Sequence, residues 1–117
     1  MNPQHVIVFI TAPSKEIGRE IANTLLDQKL AACVNIISPI NSLYIWEGKI
    51  NDDEEALLVV KTRADLLKDG LVPAVKSVHP YEVPEILALP ILMGLESYLE
   101  WIEEVTDQGE GNRGVGE

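Results

Sequence analysis

Two β-rich stretches, Cys33 to Trp46 and Lys49 to Thr62, meet at the pair Glu47-Gly48, and no other feature of the sequence limits the fold so strongly. Glycine supplies the positive φ that a tight two-residue turn requires, so the stretches form one long hairpin. An arm of about 14 residues at roughly 3.3 Å each spans about 46 Å, whereas a compact chain of this length has a radius of gyration of about 13 Å. The hairpin therefore overhangs its own domain. It leaves edges unpaired and exposes Leu43, Ile45 and Ile50, and proteins cover such edges by pairing them. An obligate oligomer joined through strand pairing is the expectation. Pro39 donates no hydrogen bond, and Asp52-Asp53-Glu54-Glu55 sets four acids side by side, so the ladder bends or frays about midway. Ala56 to Val60 is the part that enters a core.

The flanking segments supply the rest of a domain. Val6 to Ile10 is a β-branched and aromatic run closed by Thr11-Ala12-Pro13, which reads as a strand buried on both faces. Ser14 caps a helix from Lys15 to Lys29, where Ile17, Ile21 and Leu25 recur at helical spacing. Asp65 caps a short turn, Gly70 interrupts it, and a helix runs from Leu71 to Val78 with Pro73 in its first turn. His79-Pro80-Tyr81-Glu82-Val83-Pro84 is an ordered loop, since each proline pushes its predecessor to extended geometry. A last strand covers Glu85 to Ile91, with Pro90 at an edge or bulge. Leu95, Tyr98, Leu99, Ile102 and Val105 then form a terminal helix that turns Glu96, Glu100, Glu103 and Glu104 to solvent.

This order is strand, helix, strand, strand, helix, strand, with a helix added. It is the split βαβ arrangement, so the expected fold is an α+β, ferredoxin-like βαββαβ sandwich with a long hairpin and an extra C-terminal helix. Residues 1–106 form one domain, and 107–117, holding four of the eight glycines, form a flexible tail.

Charge excludes several functions. Nineteen acidic against nine basic residues give a net charge of −10, which repels nucleic acid phosphates and anionic lipid. The longest apolar runs fall far short of the roughly 18 residues that span a bilayer, and Met1 to His5 has no basic leader region. A cytosolic protein is expected. The single cysteine, Cys33, forms no intrachain disulfide and fits a reducing compartment.

Two strings resemble binding motifs and fail on context. Gly109 to Gly114 matches G-x-G-x-x-G, but no strand precedes it and no helix fits in the three residues left. Asn51 to Glu55 begins like an EF-hand loop, but Ala56 stands where that loop needs glycine. Cys33 and His79 are the soft or borderline metal ligands in the body of the domain, suited to copper and zinc. Their plainer readings are a small buried hydrophobe and a hydrogen-bonded loop histidine. As a nucleophile and base they lack an orienting third group and an oxyanion hole, so no enzyme is expected. Trp46-Glu47 and Tyr81-Glu82 place aromatic and acidic side chains on loops, which suits either a small-ligand cleft or a subunit interface.

Thr11-Ala12-Pro13, Leu30-Ala31-Ala32-Cys33-Val34-Asn35, Ser42 to Ile50, Lys61-Thr62 and His79 to Ile86 resemble, in order and spacing, the CutA divalent-cation tolerance proteins, and Tyr98-Leu99-Glu100-Trp101 resembles their terminal helix. The resemblance implies a cytosolic homotrimer whose hairpins pair between subunits, linked to copper and other divalent cations, with Cys33 and His79 at positions discussed as metal contacts. Ile10 and Val78 stand where some relatives carry a further cysteine and a further histidine. Trp46, Glu47, Lys61, Tyr81 and Glu82, beside His79, are the expected cleft residues near the subunit interface. The CutA proteins are similar in fold and assembly to the PII signalling proteins, which implies an alternative: a regulatory trimer taking a small ligand or partner protein in its intersubunit clefts.

Overall fold

Ser14 sets the first helix in place: its Oγ accepts the Ile17 N–H at 3.1 Å, relieving one of the free donors at the helix start. The computed structural model describes residues 4–109. Strand β1 (His5–Ala12) leads into α1 (Lys15–Asp27), and β2 (Cys33–Trp46) and β3 (Lys49–Arg63) form the hairpin. A 3-10 turn (Ala64–Leu66) and one π turn (Leu67–Leu71) precede α2 (Val72–Val78). Strand β4 (Ile86–Pro90) and α3 (Glu96–Val105) complete the described chain. The antiparallel sheet has the order β2-β3-β1-β4, with β4 on an edge as Pro90 requires. This is the expected ferredoxin-like arrangement.

Alternation along the central strands decides where the core lies. Val8 and Ile10 of β1 and Leu58 and Val60 of β3 are fully buried, and Ile21, Leu25, Leu71 and Val75 close over them. The opposite sheet face carries Ile7, Phe9, Val59, Leu57, Ile37, Leu87 and Leu89 in register. Among the described elements only α3 crosses it, and Ile37, Leu87 and Leu89 are exposed. Strand β1 is thus buried on one face and half-buried on the other, not buried on both.

The hairpin overhangs as its length requires. The chain measures 52 × 29 × 24 Å with a radius of gyration of 15.4 Å, above the roughly 13 Å of a compact domain. Glu47 and Gly48 both have positive φ, 53° and 76°, the signature of a hairpin turn whose twist matches its strands. The ladder breaks where Pro39 predicts: one extra residue on β2 separates the pairs Ile37–Leu57 and Ile40–Glu55, beside the cis Ser38–Pro39 peptide. The acidic run itself stays in β3 and does not fray. Ile45 and Ile50 face each other near the tip, 74% and 77% exposed.

Other boundaries differ for physical reasons. Helix α1 stops at Asp27 because Lys29 adopts a left-handed φ of 57°. The Leu30 N–H then reaches the Leu25 carbonyl at 2.8 Å and the Lys29 N–H the Leu26 carbonyl at 3.1 Å, a Schellman ending that usually uses glycine. Asp65 caps nothing and pairs instead with Arg63 at 3.6 Å. His5 is no loose terminus: it starts β1, and its Nε2 lies 2.9 Å from Glu103 and 3.1 Å from the Leu99 carbonyl. Glu103 is accordingly half-buried, while Glu96, Glu100 and Glu104 face solvent as expected. Of the tail, Gln108 donates to the Lys29 carbonyl at 2.6 Å, and 110–117 lie outside the described residues, as does most of the Gly-rich string.

Candidate functional site

His79 stands where α2 ends, held extended (φ −85°, ψ 133°) ahead of Pro80. Its side chain is 7% exposed, and both ring nitrogens are engaged. Nε2 lies 2.7 Å from the Thr11 carbonyl and must donate to it, because a carbonyl only accepts. Nδ1 accepts the Tyr81 backbone N–H at 3.1 Å. These two bonds fix the tautomer and leave no imidazole lone pair for a metal ion.

What His79 positions is Tyr81. The two rings lie 4.7 Å apart between centroids, and the Tyr81 hydroxyl donates to Glu55 Oε2 at 2.9 Å. Burial, then the Glu55 hydrogen bond and charge, push the Tyr81 phenol up to about 12. Glu55 is itself 8% exposed, the most deeply buried carboxylate of the acidic run. Across the hairpin, the Tyr44 hydroxyl donates to Asp53 Oδ2, and that hydrogen bond raises the Tyr44 phenol.

These residues wall a groove of about 730 Å³ between the hairpin and the loop 79–85. Tyr44, Trp46 and Tyr81 supply aromatic surface, while Glu55, Glu82 and Glu85 supply carboxylates. Of the expected cleft residues, Trp46, Tyr81 and Glu82 line it, whereas Glu47 sits at the exposed turn and Lys61 lies elsewhere. Sequence reasoning missed Glu55, Tyr44 and Glu85. The available signal was an acid directly before the core run Ala56 to Val60, since a carboxylate entering a core needs a partner.

Lys61 belongs with Cys33. Its Nζ lies 3.9 Å from Cys33 Sγ and also contacts the Asn35 side-chain oxygen. The Tyr98 phenol is raised by burial, then by the charge and hydrogen bond of Cys33. Cys33 pairs with Lys61 and Thr11 with Leu57, so the thiol and the His79 anchor stand four positions apart along β3, roughly 13 Å at 3.3 Å per residue. The structure does not bring Cys33 and His79 together. Among the described residues no cluster of three or more His, Cys, Asp or Glu side chains is placed to hold a metal ion. With the His79 lone pair used and an ammonium beside Cys33, the donors of one chain do not fit a copper centre.

Residues 6–105 match the model of the family described as CutA1 divalent ion tolerance protein. The chain belongs to the CutA1 divalent ion tolerance family. It is 48% identical over 101 residues to the chloroplastic CutA protein of Arabidopsis thaliana, covering 86% of this chain and 55% of that protein. It is also 48% identical over 100 residues to the divalent-cation tolerance protein CutA of Thermus thermophilus, covering 86% and 96%. The chain thus spans about half the length of the plant and mammalian relatives it matches. Crystalline CutA1 of Oryza sativa superposes with a TM-score of 0.87 at 47% identity, over 92% of this chain and 97% of that one. A CutA structure from Archaeoglobus fulgidus, described as periplasmic, gives 0.85 at 46% identity over 88% and 99%. No helix among the described residues is long and apolar enough to cross a membrane.

Proposed function

We propose that this chain is a non-catalytic, homotrimeric binding protein of cytosolic divalent-cation tolerance, and that its working site is the groove beside His79, where it takes a small ligand. The observation that carries this reading is the double commitment of His79, whose two nitrogens hold Thr11 and Tyr81 and so aim Tyr81 at Glu55. A histidine used this way shapes a cleft. The apolar sheet face and the exposed hairpin edges support an oligomer, because such surfaces are costly to leave in water. The number three comes from the family resemblance. Copper held by Cys33 and His79 is the weaker reading, since the pair is separated and Lys61 stands beside the thiol.

Calorimetric titration of tag-free protein with copper and zinc ions tests this, run beside Cys33→Ser and His79→Ala after each variant is shown to keep its oligomeric state. The groove reading expects no saturable metal binding that depends on both residues. Tight binding lost in both variants would restore the metal centre.

A further inference from the structure

We infer that the groove selects a protonated organic amine: an ammonium group bound at Glu55, with its hydrocarbon part against Tyr44, Trp46 and Tyr81. The inference rests on the groove being the working site and adds the chemical class of its ligand.

Glu55 carries the argument. The residue is more than nine-tenths buried, at 8% exposure, and it lines the groove. Oε2 accepts the Tyr81 hydroxyl at 2.9 Å, a neutral donor. A carboxylate largely withdrawn from water and held by a neutral hydroxyl binds a charged donor more strongly than a neutral one, and a ligand ammonium entering from the groove supplies it. The Tyr81 and Tyr44 hydroxyls are spent on Glu55 and Asp53 and do not compete for it.

The surroundings define the rest of the ligand. Among the described residues no lysine, arginine or histidine lines the groove, while Glu82 and Glu85 add negative charge at the rim. Anionic ligands such as phosphates are repelled, and the chain's net charge of −10 attracts cations at longer range. Three aromatic side chains stabilise an ammonium through their ring faces and cover alkyl or aryl carbons. A hard divalent cation would instead require several converging oxygens, and no such cluster occurs among the described residues.

The test titrates the intact, tag-free protein by calorimetry with benzylammonium chloride and with benzyl alcohol, its neutral counterpart of similar shape. Saturable binding of the amine is expected, with the alcohol and the Glu55→Gln variant each weaker by about tenfold or more, the scale of a lost charge-assisted hydrogen bond. Glu100→Gln, on the exposed face of α3, keeps wild-type affinity. Should Glu55→Gln not fold, the double variant Glu82→Gln/Glu85→Gln on the exposed loop is expected to weaken the amine about threefold, within the range of rim charges. Equal binding of amine and alcohol, or equal loss in Glu55→Gln and Glu100→Gln, overturns the amine and leaves a groove of other specificity. No binding of either compound also overturns it. The groove reading itself falls separately, if Tyr81→Ala and Trp46→Ala, with oligomer intact, give cells wild-type copper tolerance.

Discussion

The imidazole of His79 holds the backbone of Tyr81: Nδ1 accepts the Tyr81 N–H at 3.1 Å, two residues along the chain. The same ring reaches across to the Thr11 carbonyl at 2.7 Å, so one side chain ties the end of β1 to the loop that follows α2. Tyr81 then spans to Glu55 on β3. A connected run of hydrogen bonds links three segments remote in sequence, and the groove has the shape that run imposes.

His79→Ala leaves the buried Thr11 carbonyl and the partly buried Tyr81 amide without their partner. The loss is expected to be about 1–3 kcal/mol. Urea unfolding at one fixed protein concentration measures it, since oligomer stability depends on concentration. A variant as stable as the parent would mean that the two bonds contribute nothing net.

The tyrosines give a pH signature. Folding raises Tyr81 from about 10 to about 12, so the fold favours the protonated phenol. This contribution is complete below pH 10 and is lost as pH rises toward 12. Ultraviolet phenolate titration should find Tyr81 ionising last, with Tyr44 and Tyr98 also late. Tyr81→Phe removes the final step. A native Tyr81 that ionises like free tyrosine would show that Glu55 and burial do not act on it.

Two glycines test the packing differently. A Cβ at Gly70 would stand 2.7 Å from Leu30 Cδ2, so Gly70→Ala overpacks the buried Leu30 side chain and costs about 1–3 kcal/mol. Gly48 meets open space but has a φ of 76°, and Gly48→Ala costs about 1–2 kcal/mol through backbone strain alone. Thermal unfolding of both variants checks the pair. Neutral behaviour at Gly70 would mean that Leu30 moves aside freely.

Most of the fold was legible because it follows from local signals. Ser14, Glu47-Gly48, Pro39 and Pro90 each act within a few residues, and the apolar alternation names the strands. The helix end at Lys29 was not legible, since lysine carries no preference for left-handed geometry and the Schellman bonds depend on Leu25 and Leu30 packing together. The candidate site was half legible. Trp46, Tyr81 and Glu82 stand out as loop aromatics and acids, but in sequence Glu55 is one of four adjacent acids that bend or fray the ladder. Its hydrogen-bond partner is Tyr81, 26 residues away, and no local pattern encodes that pairing. His79 and Cys33 were paired by ligand chemistry, which says nothing of their separation across the sheet.

Ile45 and Ile50 contribute nothing to the core of their own chain. Replacing either by Asp should leave the subunit's helices and sheet intact by circular dichroism while breaking the assembly, because the interface would bury an unpaired charge. Light scattering distinguishes the outcomes. An oligomer of unchanged mass would show that the hairpin tip does not join the subunits.

On the groove reading His79 positions Tyr81 and is no metal ligand. Long-range proton–nitrogen NMR correlation on the histidine rings, before and after adding zinc, tests it most directly, with His5→Gln used to assign His79. A hydrogen on Nε2, a bare Nδ1, and no change at either nitrogen when zinc is added are the expected result. A zinc-dependent shift at Nδ1, with loss of the Tyr81 amide hydrogen bond, would contradict it and return His79 to the metal.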